Sequence, residues 1–306
     1  MSVQAAYVAV LLIWSTTPLG LAWSAESLGS ALAGLGRMAL ALPLALLLMR
    51  AMGLRLPWHR KAVHSYLASV VMLFGAMYSG YVASQYIPSG LLSLIWGLSP
   101  LLSGLVAIPL LGERSMTPAR LVALLIALAG LAVVMADDLV LGEEGIFGVT
   151  LVLCAVSIYS VSNVLVKKID AGIHPLAQTT GALLFAQPLY LIAFWLEGGE
   201  IPQVALDDRG LWAMIYLAVF GSIIGFLSFF YLLKRLSATT LNLVTLVCPV
   251  FALALGNLVN QELLSFNLLA GALLVISGLA CYFWGDRVFR RLSGGRQPAA
   301  VDPVSK

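Results

Sequence analysis

Polar and aromatic side chains recur at helical spacing inside long apolar runs, and they are the groups with which this sequence can do chemistry. Phe74, Tyr78, Tyr81 and Gln85 follow i, i+4, i+7, i+11 and so share one helical face. Ser93, Trp96, Ser99, Pro100 and Ser103 crowd the next run, and Trp14 and Thr17 lie one turn apart in the first. Tyr159 and Asn163 are one turn apart, Thr180, Gln187 and Tyr190 share a run, and Asn242, Thr245 and Pro249 share another. Hydroxyls, amides and rings of this kind recognise a small solute without reacting with it. The expected solute contacts are Trp14, Thr17, Tyr78, Tyr81, Trp96, Ser99, Tyr159, Asn163, Gln187, Asn242 and Thr245. Each also has a plain structural reading, since polar side chains in membrane helices commonly bond to another helix at about 0.6–2 kcal/mol.

Catalysis finds little support. No Asp, Glu or His falls in the middle of an apolar run, and His59, His64 and His174 lie between runs. No HExxH, P-loop or dinucleotide fingerprint occurs. Cys154, Cys248 and Cys281 are far apart and show no ligand spacing, so no metal, cofactor or disulfide framework is expected. Five residues read instead as gating or structural. Arg37 is the one clear charge inside a run and needs a partner, water or an anionic ligand. The structural alternative has Arg37 snorkelling to Glu26, Asp138 or Glu262. Pro100 and Pro249 each free a backbone carbonyl and bend a helix, which suits a hinge. Glu113 and Glu262 stand at run ends, placed to cap or pair with helix termini.

The elements that must hold these groups follow from composition. Of 306 residues, 61% are hydrophobic and 10% charged, which is too little charge to coat a soluble domain. Net charge is +3 with no clustered basic patch, so no nucleic-acid partner is implied. The expected partner is the lipid bilayer, together with a small-molecule substrate. A helix needs about 20 apolar residues to cross it. The runs 5–24, 28–49, 63–84, 90–111, 118–136, 146–165, 176–196, 211–233, 238–258 and 265–285 each approach that length. They predict an all-α membrane protein of ten transmembrane helices. The first run lacks a positive n-region and reads as a retained helix rather than a cleaved signal.

Charge sorts the loops. With the N-terminus cytoplasmic, 15 of the 17 Lys and Arg residues fall on the cytoplasmic side, Arg209 falls opposite and Arg37 lies within a helix. Most acids fall on the far side, and one missed helix would scramble the pattern. Both termini are therefore expected in the cytoplasm, with 287–306 as a disordered basic tail.

The chain also repeats itself. Pro100 precedes Glu113 by 13 residues, and Pro249 precedes Glu262 by the same 13. A small-Gly-Leu triplet follows each: Ala129-Gly130-Leu131 and Ser277-Gly278-Leu279. Residues 1–141 and 142–286 thus read as two five-helix repeats. Five is odd, so the second must be inverted, the plan by which secondary transporters exchange the access of a site between two faces.

At these residues the chain resembles the EamA-type transporters of the drug/metabolite transporter superfamily. The matching pieces are Ile13-Trp14-Ser15, Arg37, Ser93-Leu-Ile-Trp-Gly-Leu-Ser-Pro100 through Leu111-Gly-Glu-Arg114, and Ala238-Thr-Thr-Leu-Asn-Leu-Val-Thr-Leu-Val-Cys-Pro249 through Glu262. The likeness spans roughly residues 5–285, although the second repeat has Asn260-Gln261-Glu262 where the first has Leu111-Gly112-Glu113. The resemblance implies two inverted halves around a central cavity, a bacterial inner membrane, and transport of a small organic metabolite (an amino acid, a nucleobase or similar), often outward. A membrane enzyme or lipid-handling protein is the alternative.

Overall fold

The computed structural model describes residues 2–112, 117–136, 144–233, 235–236 and 238–292. Among them the chain is helical throughout, with no strand. Its ten helical elements in chain order are α1 (Val3–Leu28), α2 (Ser30–Ala51), α3 (Arg60–Ala83), α4 (Ser89–Leu111), α5 (Pro118–Met135), α6 (Gly145–Ile169), α7 (Pro175–Leu196), α8 (209–233), α9 (Ala238–Asn260) and α10 (Phe266–Leu292). Eight of these are long and apolar enough to cross a membrane. In the remaining two, Arg209–Ile224 and Val244–Asn260 are shorter apolar stretches.

Starts and stops follow local chemistry. Ser2 accepts from Ala5 N at 3.2 Å and Thr117 accepts from Arg120 N at 3.3 Å, with Pro118 in the first turn of α5. Asp208 accepts from Gly210 N and Leu211 N at 2.8 and 3.0 Å to open α8. Gly29 joins α1 to α2 in a single residue at φ 81°, a conformation that L side chains avoid.

Three helices depart from regular geometry. π-helical turns widen α3 at Val71–Ala76 and α8 at Leu217–Ile224. A break at Gly97 and Leu98 divides α4 into Ser89–Trp96 and Ser99–Leu111. Pro100 accounts for it, having no N–H to donate across that turn. α10 continues to Leu292, past the expected end at 285, so the first residues of the segment read as a disordered tail are helical. Arg287, Arg290 and Arg291 fall within this extension. Glu113, Asp138 and residues 293–306 lie outside the described residues.

Packing is helix on helix. α1 lies against α8 and α9, α6 against α3 and α4, α2 against α7 and α8, and α7 also against α3. α4 meets α9, and α5 meets α10. The last contact is backbone to backbone: a Cβ on Gly130 would lie 2.7 Å from the Gly271 carbonyl oxygen, and one on Gly271 would lie 2.6 Å from that of Gly130. Without a hydrophobic drive between helices in lipid, close approach of small residues supplies the attraction. The opposite face of α5 carries Leu121, Leu125 and Leu128, about half exposed at i, i+4, i+7. That apolar stripe suits contact with acyl chains.

Two carboxylates tie loops to helix starts. Glu262 accepts from Ser89 N at 3.0 Å and Gly90 N at 3.2 Å, capping α4. Glu197 accepts from Ala31 N at 2.9 Å, capping α2, and from the Tyr78 hydroxyl at 2.8 Å. Arg209 pairs with Glu26 at 2.6 Å and lies over the ring of Trp23.

Candidate functional site

A cavity of about 200 Å³ opens near the midpoints of α1, α4, α6, α8 and α9. α1 gives Trp14, Thr17, Pro18 and Leu21 to its wall, and α2 gives Arg37. Met77 follows the wide turn of α3, and Ser93, Trp96, Gly97 and Ser99 flank the break in α4. Tyr159 enters from α6, Gly221 from the wide turn of α8, and Thr245, Cys248 and Pro249 from α9. The break in α4 packs against the proline of α9: a Cβ on Gly97 would sit 3.5 Å from Pro249 Cγ.

Most of the wall is apolar or aromatic. Trp96 and Tyr159 meet edge to face, with ring centroids 5.4 Å apart. Thr17 donates to its own helix, to Ile13 O at 2.7 Å. Cys248 directs its thiol to Leu11 O at 3.8 Å. The charge is Arg37, 4% exposed. Its Nε donates to Ser222 Oγ at 3.0 Å, and its Nη1 approaches the Met77 sulfur at 4.0 Å. Glu26 and Glu262 are both engaged elsewhere, so the snorkelling arrangement to those two acids is not the one adopted. The reason lies in position: Arg37 faces α8 from the third turn of α2, with Ser222 directly opposite.

The structure thus brings together Trp14, Thr17, Trp96, Ser99, Tyr159 and Thr245 of the expected solute contacts, along with Arg37 and Pro249. It takes others elsewhere. Tyr78 turns to Glu197, and Tyr81 is fully buried beside Arg37 and Ser24 without hydrogen-bond geometry. Asn163, Gln187 and Pro100 do not line the cavity, and Asn242 is placed on α9 with only its backbone described. Glu262 is a helix cap, and Glu113 lies outside the described residues. Sequence reading missed Pro18, Leu21, Met77, Gly97, Gly221 and Cys248, whose types carry no polar signal. Among the described residues no cluster of His, Cys, Asp and Glu is arranged to hold a metal ion.

Residues 146–284 match the EamA-like transporter family. That match lies in the second half of the chain. It is 25% identical over 195 residues to an "Uncharacterized transporter" of Archaeoglobus fulgidus, covering 63% of this chain and 67% of that one. It is 26% identical to the "Uncharacterized transporter YvbV" of Bacillus subtilis, covering 70% and 68%. A "Probable amino-acid metabolite efflux pump" of Escherichia coli is 26% identical, covering 65% and 69%. A solved structure titled "Crystal structure of protein" superposes with a TM-score of 0.65 at 23% identity, over 95% of this chain and 98% of that one. The last comparison shows the shared fold. The family match supports the resemblance read from the short motifs of the sequence, and these relatives carry the names of transporters rather than enzymes.

Proposed function

We propose that this protein is an EamA-type secondary transporter that exports a small organic metabolite by alternating access, from ten spans arranged as two inverted five-helix halves. One observation carries the reading: the central cavity is walled by both halves at mid-length of their helices. Residues 1–141 supply α1, α2, α3 and α4 to it, and residues 142–286 supply α6, α8 and α9. A solute held there touches two bodies whose rocking would expose it to either side.

The packing supports the duplication. Exchange α1 with α6, α2 with α7, α3 with α8, α4 with α9 and α5 with α10, and the contacts exchange too: α1 on α8 becomes α6 on α3, and α2 on α8 becomes α7 on α3. α2 on α7, α4 on α9 and α5 on α10 map onto themselves. The π-helical turns fall in the exchanged pair α3 and α8. Ten spans are supported by α8 and α9 taken whole, since 209–233 and Ala238–Asn260 each exceed the length a bilayer requires. The amino-acid efflux names of some relatives favour an amino acid or a product of its metabolism. The loop charges favour a bacterial inner membrane with both termini in the cytoplasm.

The test is transport by purified full-length protein in proteoliposomes, with a panel of radiolabelled amino acids, nucleobases and organic acids loaded inside. The expected result is protein-dependent counterflow of at least one compound, recovered unaltered by chromatography. Chemical conversion of the solute, or no movement of any of the panel, would overturn the proposal.

A further inference from the structure

Arg37 poses a question that the rest of the fold does not answer. Its guanidinium is held from water in the wall of the cavity, and its partners, a serine hydroxyl and a thioether, are neutral. Among the described residues no carboxylate makes an ion pair with it. A cation kept away from both water and countercharge is costly in a low-dielectric setting. The cost is tolerated where a ligand brings the missing charge. The guanidinium borders the cavity, and Gly221 packs against it, where a Cβ would lie 3.4 Å from Nη2. Every other described residue of the cavity wall is uncharged.

We propose that Arg37 is the anion-binding group of the cavity and that the solute it receives carries one carboxylate, its organic body lying against Trp14, Trp96 and Tyr159. The proposal rests on the transport reading and names the substrate class for it. Charge balance selects the carboxylate. One guanidinium neutralises one negative charge and offers a planar fork that matches a carboxylate's two oxygens. A phosphate monoester brings −1.5 to −2 at neutral pH and would leave charge uncompensated in the cavity. If the solute is an amino acid, its ammonium finds ring faces rather than a carboxylate along this wall.

The experiment measures equilibrium binding to detergent-purified full-length protein, by thermal shift and by quenching of tryptophan emission. The probes are the twenty protein amino acids, their α-amides, lactate, pyruvate and phenyl phosphate. The wild type should bind at least one carboxylate, with its neutral-headed amide or the phosphate ester at least tenfold weaker. R37Q and R37M should weaken that carboxylate at least tenfold, and R37K, which keeps the charge and loses the fork, should weaken it less. Without ligand, R37M should melt at or above the wild-type temperature, because an unpaired buried charge has been removed. Equal binding of acid and amide, wild-type affinity in R37M, or no binding of any carboxylate would overturn the proposal. So would melting more than about 5 °C lower in both R37M and R37Q, a structural signature. Binding is read apart from movement: a carboxylate that binds through Arg37 yet is never carried into liposomes sinks the transport reading and leaves the anion site standing.

Discussion

Tyr190 shows what helical spacing does and does not reveal about a single residue. It recurs on α7 near Gln187 and reads as a cavity residue, yet it is fully buried, packed edge to face on Phe74, and its hydroxyl donates to Leu73 O at 2.9 Å. Leu73 lies in the wide turn of α3, and the phenol gives that carbonyl a partner. Y190F should therefore lose about 1 kcal/mol of stability in mixed-micelle unfolding, in the range of interhelical hydrogen bonds. Periodicity identifies residues that share a face but not the neighbour that face meets. Across a π turn the phase also shifts, so Met77 reaches the cavity while Tyr78 turns to Glu197. Gly221 was invisible for another reason: its contribution is the absence of a side chain beside Arg37. In the loop before α8, Asp208 has its carboxyl held below the usual range, first by the Leu211 N–H and then by Ser27. A lowered folded pKa means that its stabilisation is present above the unfolded value and lost as pH falls through the folded one. Below about pH 4 the advantage of wild type over D208N in melting temperature should shrink toward zero. At pH 7 wild type should melt higher, and equal melting there would discount the cap.

At the level of elements, the capping carboxylates link helices distant in sequence. Glu262 ends one hairpin and caps α4, 172 residues earlier, while Asn260 donates to it at 3.1 Å. A side chain that fills the open N–H groups of another helix fixes that helix's position as well as its start. E262A should destabilise by about 1 kcal/mol, within the range of lost N-caps, and E262Q by less because an acceptor oxygen remains. Equal melting of wild type and E262A would show that the cap contributes nothing. The sequence places Glu262 at a helix end, but the partner helix is a tertiary matter that local spacing does not encode. The break in α4 was more legible, since Pro100 marks it directly.

For the whole molecule, the apolar runs identify each helix to within a few residues, because the requirement for internally bonded backbone leaves few other solutions in lipid. The boundary missed by most is the end of α10, where basic residues continue a helix beyond the apolar stretch, and α1 and α6 each run four residues past their expected ends. Cavity membership was only partly readable, since it depends on which faces of α1, α4, α6 and α9 converge once both halves are packed. Reporter fusions at Met1 and Lys306 should both signal from the cytoplasm, and a signal from opposite faces would break the two-halves arrangement.

The wide turns in α3 and α8 have a mechanical consequence. Each holds one residue more per turn than its helix otherwise would, at the place where Leu73 anchors Tyr190 and Ser222 anchors Arg37. Releasing that surplus into an ordinary turn would twist the remaining length by about 100° and slide it by about 1.5 Å. Slack of this kind lets a rod present a different edge to the chamber while both of its ends stay moored.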